Sequence, residues 1–231
     1  MLKKSSYIVS LPQTPPHRLA TLGRQKMEVL TSLAELTHWL SRTPEARIVG
    51  IVGPPGSGKS TLANELSHSL AVQHSVVPMD GFHYPQDTLR AMNRRDRMGA
   101  PDTFDAQALA ELLKLVKHRN GPVVFPEFDR AIEEPRPGSI TVLPEDELVI
   151  VEGNYLLLDD ADWAPVGKLL DLSIYVDIPD ALRHQRLIKR HVDYGKSAED
   201  AAEWVNRVDA PNARSVEAAR NRAMALYQAE G

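Results

Sequence analysis

Gly53-Pro54-Pro55-Gly56-Ser57-Gly58-Lys59-Ser60 fits G-x-x-x-x-G-K-[ST] at every fixed position, with Thr61 directly behind it. The pattern has a mechanical meaning. Its glycines let backbone amides turn inward around phosphate oxygens, Lys59 brings a positive charge to the β- and γ-phosphates, and the Ser60 hydroxyl is a ligand for Mg²⁺. A helix opening at Lys59 adds the positive end of its dipole. Glycine-rich turns match such patterns by chance, but this one follows an apolar strand pattern and opens a helical one, as the mechanism requires. No Asn/Thr-Lys-x-Asp run that would read guanine occurs in the chain, so ATP is the expected nucleotide.

Two carboxylates fall where a phosphate-handling site needs them. Asp80, in Met79-Asp80-Gly81-Phe82-His83, ends a second strand pattern. Parallel sheets present the carboxyl ends of their strands to ligands, and an acid there can accept the proton of an attacking hydroxyl and help organise Mg²⁺. The plainer reading is an Asp capping the turn through Gly81. Glu152 ends the run Glu147–Val151 in the same way, suited to a metal contact or to an ordinary strand-end hydrogen bond. His83 is evenly balanced between a site residue and a hydrogen-bonding loop histidine.

A third feature is basic. Arg183, Arg186 and Arg190 recur at i, i+3 and i+7 beside Lys189, with no acid between Ala181 and Val192. Most charged helix faces are only solvated, but an unrelieved basic face in an acidic chain suits a lid that neutralises a transferring phosphoryl group.

The elements that must carry these groups alternate. Arg47–Val52, Ser75–Met79, Glu147–Val151 and Leu172–Ile178 read as buried strands. Between them, helical patterns run from Lys59 to about Val72 and through Leu109, Leu112, Leu113 and Val116, stopping at Asn120-Gly121; further helices are expected over about 180–193 and 197–228. Strands alternating with amphipathic helices predict an α/β fold, a doubly wound parallel sheet covered on both faces. Val29, Leu33, Leu36 and Leu40 place one more helix over 23–42, closed by Pro44, after a proline-bearing arm over 1–22. The expected division is thus an N-terminal arm and helix over 1–45, packing on the core or on a second subunit of a homodimer, and a main domain over 46–231. The stretches 81–103 and 120–146 read as long irregular loops, and such loops are usually functional or mobile.

Composition narrows the class. The 231 residues are 42% hydrophobic and 25% charged, with no cysteine and a net charge of −4. That excludes disulfides and thiolate metal sites, fits a reducing cytoplasm, and leaves no electrostatic footprint for nucleic acid. No apolar run reaches the roughly 18 residues of a membrane span, so a soluble cytoplasmic protein is expected.

Taken together, GPPGSGKST, MDGFH, RMGAPDTFD, VIVEGNYLLL and the late basic helix resemble the uridine kinase, phosphoribulokinase and bacterial pantothenate kinase group of P-loop kinases, from about Arg47 to about Val216. The resemblance implies a five-stranded parallel core with a helical lid, ATP and Mg²⁺, and a small-molecule acceptor. It also implies Asp80 as catalytic base, Glu152 at the metal and substrate site, and Arg186 and Arg190 closing from the lid. Within the group the match is uneven. Uridine kinases hold ribose hydroxyls with an Asp two residues before the Pro of the corresponding motif; here that position is Gly99. Arg97-x-Gly99-x-Pro101 is similar to pantothenate kinases, as is Asp209-Ala210-Pro211-Asn212, where Asn212 matches a substrate-binding asparagine. Phe125-Pro126-Glu127-Phe128-Asp129-Arg130, however, replaces the tyrosine- and histidine-bearing segment of those enzymes. The whole is most similar to a less characterised branch whose members carry fructokinase or nucleoside kinase-like labels.

The expected reaction is ATP-dependent phosphorylation of a hydroxyl on a sugar, hydroxy acid or pantothenate-like acceptor. Arg97 and Arg130 supply fixed charge for such an acceptor, unless they bind ATP phosphates or pair with Asp102, Glu127 or Asp129. A uridine or cytidine kinase, and a P-loop ATPase or regulatory module without an acceptor, are the alternatives.

Overall fold

The computed structural model describes residues 27–228. The expected arm over 1–22 lies outside the described residues. The chain begins with β1 (Glu28–Leu30) and α1 (Leu33–Ser41), then β2 (Ile48–Val52), α2 (Lys59–Ser69) and β3 (His74–Pro78). A short helix α3 (Gln86–Ala91) and α4 (Ala106–His118) lead to an antiparallel hairpin, β4 (Val123–Asp129) with β5 (Glu134–Val142). Then come β6 (Leu148–Gly153), α5 (Ala164–Gly167), β7 (Leu172–Asp177), α6 (Asp180–Asp193), α7 (Ala198–Trp204), α8 (Ala210–Ala218) and β8 (Ala225–Gln228).

The main sheet is parallel, in the order β1-β8-β7-β2-β6-β3. Its sides sort by strand period. Ile48, Val52, Val149, Val151 and Tyr175 face one core with α4 and the hairpin, while Val49, Ile51, Ile150, Ile174 and Val176 face the other with α1 and α2. From β2 the chain crosses to β3 on one side, and from β6 it crosses to β7 on the other. The crevice at the carboxyl ends of these strands is where such sheets take ligands.

Several details differ from expectation, each for a physical reason. The described part of 23–42 is a strand and a shorter helix, not one helix. Ser32 caps α1 by accepting from the Glu35 amide at 3.2 Å, and Glu35 accepts the Thr31 amide at 2.7 Å. This reciprocal cap starts the helix late and leaves Val29 on the sheet edge. The expected helix over 197–228 is three pieces. Pro211 has no amide to donate, and the chain makes a single π-turn at Val205–Asp209 before α8. It then returns as β8, so the sheet has six strands among the described residues rather than five. The supposed loop over 120–146 is largely the hairpin. Pro126, Pro135 and Pro137 hide it, since proline cannot donate to a ladder, and the register shifts between Phe125 and Glu127.

Gly81 explains how the hairpin docks. A Cβ there would run into the Pro126 carbonyl, so only glycine lets β4 lie against the turn after β3.

Candidate functional site

The phosphate loop spans the gap between the end of β2 and the start of α2. Gly56 and Gly58 take φ of 81° and 93°, the left-handed region that turns successive amides toward one point. Lys59 is buried, and its Nζ donates to the Pro54 carbonyl at 3.1 Å. Burial lowers its pKa to about 8, against the opposing charges of Glu152 and Asp80. Ser57 Oγ is buried with no hydrogen-bond partner among the described residues.

Beside this cradle the carboxylates converge. Glu152, buried at the end of β6, accepts from Ser60 Oγ at 2.9 Å. Burial raises its pKa, the Asp80 charge adds to the rise, and Lys59 partly offsets both. Asp80 sits on the turn Met79–Phe82 after β3, and Arg130 from the hairpin donates to it at 2.5 Å. Burial works against the Asp80 charge, but His83, Arg130 and Lys59 outweigh it and hold the carboxyl below its ordinary range. His83 closes the same turn and lines the site. Its ring lies 3.9 Å from Phe104 and 4.5 Å from Phe128, Nδ1 meets the Asp80 carbonyl oxygen at 2.8 Å, and burial lowers its pKa against the opposing Asp80 charge.

Lys59, Ser60, Asp80, Glu152, Arg130 and Arg190 all line one cleft of about 620 Å³. Arg190 has no ion pair among the described residues. Arg186 points elsewhere, into a second cavity of about 530 Å³ shared with Ser57, Gly58, Thr61, Leu33 and Tyr227. Arg183 is buried, bonds to Asp180 and packs against Gly56, so it braces the loop rather than the cleft.

Two expected substrate residues are not on the cleft. Arg97 forms a bidentate pair with Asp102 at 2.5 Å, and Asn212 is buried with Nδ2 donating to the Gly99 carbonyl at 3.2 Å. The Tyr155 hydroxyl donates to the same carbonyl. Both residues therefore shape the Gly99 turn, which does line the cleft. Sequence reasoning missed much of the far wall: Arg95, paired with Glu133 of the hairpin, and His191, Tyr194 and Trp204 of the lid. Asp209 stood in a segment already singled out, and it, rather than Asn212, faces the cleft. The only sequence signal for the others is that His191 adjoins Arg190.

ATP and Mg²⁺ fit these residues. The left-handed glycines, the unpartnered Ser57 hydroxyl and Lys59 form a cradle for phosphate oxygens. Ser60, Glu152 and Asp80 are hard oxygen donors, and Mg²⁺ is commonly held by one or two carboxylates together with substrate phosphates and water. No group of three or more His, Cys, Asp or Glu side chains that could hold a metal ion occurs among the described residues. No helix among them is long and apolar enough to cross a membrane.

Comparison with known proteins gives a consistent family. The pattern of the phosphoribulokinase / uridine kinase family matches residues 48–228. The uncharacterised protein YggC of Escherichia coli is 37% identical over 203 residues, covering 83% of this chain and 84% of that one. A Schizosaccharomyces pombe protein provisionally named a uridine kinase is 36% identical over 184 residues, covering 74% and 77%. A crystal structure from Silicibacter sp. TM1040, provisionally named a fructose transport system kinase, superposes with a TM-score of 0.79 at 37% identity, covering 85% of this chain and 98% of that one.

Proposed function

This chain belongs to the phosphoribulokinase / uridine kinase family, and from that premise we propose that it transfers the γ-phosphoryl group of ATP to a hydroxyl of a small polyhydroxy compound or hydroxy acid. At the coarser level it is a P-loop kinase of small molecules. The observation that carries the finer reading is the meeting of Lys59, Asp80, Glu152 and Arg190 in one cleft beside a phosphate loop.

In the proposed reaction the acceptor oxygen attacks the γ-phosphorus. A new O–P bond forms, the bond from γ-phosphorus to the bridging oxygen breaks, and ADP leaves with the electron pair. The acceptor's proton passes to Asp80 and from there to solvent. The depressed pKa of Asp80 makes it a weak base, which suits a loose transition state in which the hydroxyl is oriented first and deprotonated late. Lys59 and the loop amides bind the ATP phosphates, and Arg190 meets the charge that develops on the transferring group. Ser60 and Glu152 would hold Mg²⁺, which when bound would neutralise charge on the nucleotide's phosphate oxygens.

The far wall supports this acceptor class. Arg130, Arg190 and Lys196 bring positive charge to the cleft, and Gly99 brings no side chain, with open space where a Cβ would stand. A carboxylate or a run of hydroxyls matches that lining. The provisional name of the Silicibacter structure agrees with a sugar. That of the fission-yeast relative favours uridine instead and supplies the second reading.

A coupled assay of ADP release decides between them, with D-fructose and other sugars, D-glycerate, pantothenate, uridine and cytidine offered in turn at equal concentration. Turnover is expected with a sugar or a hydroxy acid. Turnover of uridine or cytidine alone returns the protein to the nucleoside kinases. Strong ADP release with no acceptor at all makes it an ATPase.

A further inference from the structure

Asp209 is a carboxylate with no assigned task. It is 6% exposed, yet it lines the cleft that holds Asp80 and Glu152. It closes the π-turn Val205–Asp209, and such turns in helices frequently mark functional sites. His191 of the lid helix meets Oδ2 through Nε2 at 2.8 Å. Among the described residues no hydrogen bond engages Oδ1. An ionised carboxylate has about four acceptor positions, so one partner leaves most of its capacity unused.

Its surroundings are built. Trp204, one residue before the π-turn, stands 6.3 Å from the His191 ring and beneath the Lys196 ammonium at 4.6 Å. Asn212, one helical turn further on, fixes the Gly99 carbonyl, and the Tyr155 hydroxyl fixes it again. Asp209 is close enough to Tyr155 that its charge, after burial, helps push that phenol's pKa upward. Side chains around Asp209 are therefore committed to one another, while Asp209 itself lines the same cleft as side-chain-less Gly99. Keeping a carboxylate largely out of water is costly unless something pairs with it. A donor-rich ligand answers that cost.

We infer that Asp209, oriented by His191, accepts hydrogen bonds from hydroxyls of the acceptor and so selects for a compound bearing a hydroxyl besides the one phosphorylated. The inference rests on the kinase reading and deepens it. Asp80 handles the reacting hydroxyl, and Asp209 grips another. Asp209 ends the π-turn on the cleft lining, and the His191 contact engages one of its two oxygens.

The test uses the full chain. Wild type and Asp209→Asn are assayed with D-fructose, D-glycerate and pantothenate, and the best acceptor is then compared with a deoxy analogue lacking one non-reacting hydroxyl. The expected result is an acceptor KM raised about ten- to a hundredfold in Asp209→Asn, with the KM for ATP unchanged. The deoxy analogue should lose affinity on wild type and lose little more on the variant, because both changes delete one contact. If wild type turns over none of the three, the proposed function fails and this inference with it. If wild type is active and the variant's acceptor KM stays within about threefold, or both KM values move together, or the two deletions are additive, this inference alone is overturned. Should Asp209→Asn fail to fold, Asp209→Glu is put through the same series. Its displaced carboxylate must reorder the acceptors, and equal slowing of all of them overturns the inference.

Discussion

The two walls of the cleft are made in opposite ways. The donor wall is one continuous piece of chain, Gly53 to Thr61, wedged between a central strand and the helix it opens, with Lys59 and Ser57 buried. The acceptor wall draws on separate segments: Arg95 after α3, Phe128 and Arg130 on the hairpin, His191 and Tyr194 on the lid, and Asp209 on the π-turn. Two of its ion pairs are partly exposed, while the His191–Asp209 contact is largely buried. Arg130 and Asp80 retain 44% and 25% of their side-chain exposure, and Arg95 and Glu133 retain 32% and 52%. The donor wall is therefore held by backbone geometry, and much of the acceptor wall by long side chains whose pairs water screens. Recognition of phosphate is preset, and recognition of the acceptor depends on how distant segments close together.

Asp80 joins the two walls, and its loss should be the largest effect. Asp80→Asn keeps the shape, takes no proton and releases Arg130. Turnover is expected to fall by about 10²–10⁴-fold, with ATP binding little changed, as measured by steady-state kinetics alongside nucleotide titration. A fall of less than about tenfold would reduce Asp80 to holding Arg130, and the join between the walls would lie elsewhere.

Lys59 sharpens the claim that the donor wall is preset. Lys59→Met should cut turnover by about 10²–10³-fold, yet leave the ligand-free melting temperature equal or higher, because the variant removes a buried charge. The pH dependence has a fixed sign. The folded-state pKa of Lys59, about 8, lies below its ordinary value. As pH rises through 8 the free enzyme loses the ammonium, so kcat/KM for ATP should fall while kcat changes less. Over the same range, up to the unfolded-state pKa, the unfolded chain binds more protons than the folded one, so ligand-free stability from this group rises with pH. A lower melting temperature for Lys59→Met would mean that the Pro54 contact, not ligand binding, explains the buried lysine.

The lid arginines belong to different walls and should separate kinetically. Arg190 lines the main cleft, so Arg190→Ala should lower kcat about ten- to a hundredfold. Arg186 lines the cavity beside Gly58 and Thr61, so Arg186→Ala should raise the KM for ATP more than it lowers kcat. Identical profiles for the two variants would dissolve the distinction between the walls at the lid.

The same contrast explains what was legible in the sequence. Each donor residue follows from local spacing, and Asp80 and Glu152 from their place at strand ends. The hairpin was hidden because three prolines mask a ladder, although Phe125 and Val142 are fully buried in it. Asp209 was hidden because a π-turn shifts helical phase by one residue, so periodicity counted from α7 assigns the wrong face. Arg97 and Asn212 were expected at the acceptor from motifs similar to those of pantothenate kinases and, for Arg97, from its fixed charge. Whether an arginine meets a ligand or a neighbouring acid is decided by partners that spacing does not reveal, and Asp102 lies only five residues from Arg97.

Arg97 gives the smallest expected effect and the finest test. Its guanidinium makes two 2.5 Å bonds to Asp102, but the partners retain 43% and 38% of their side-chain exposure. Arg94 Nε also reaches Asp102, at 3.3 Å, so removing Arg97 does not strand the acid. An exposed pair with a substitute partner is worth at most about 1 kcal/mol, or about 2–4 °C in melting temperature for a chain of this size. Arg97→Ala should therefore cost a few degrees at most, move the acceptor KM by less than about threefold and leave ATP kinetics unchanged. The comparison with Asp209→Asn carries the discrimination, since both residues adjoin the Gly99 turn and only Asp209 faces the cleft. A tenfold or larger rise in acceptor KM for Arg97→Ala, with stability unaltered, would show that Arg97 leaves Asp102 to bind the acceptor. The acceptor wall would then extend past Gly99 along the segment that the pair with Asp102 now holds closed.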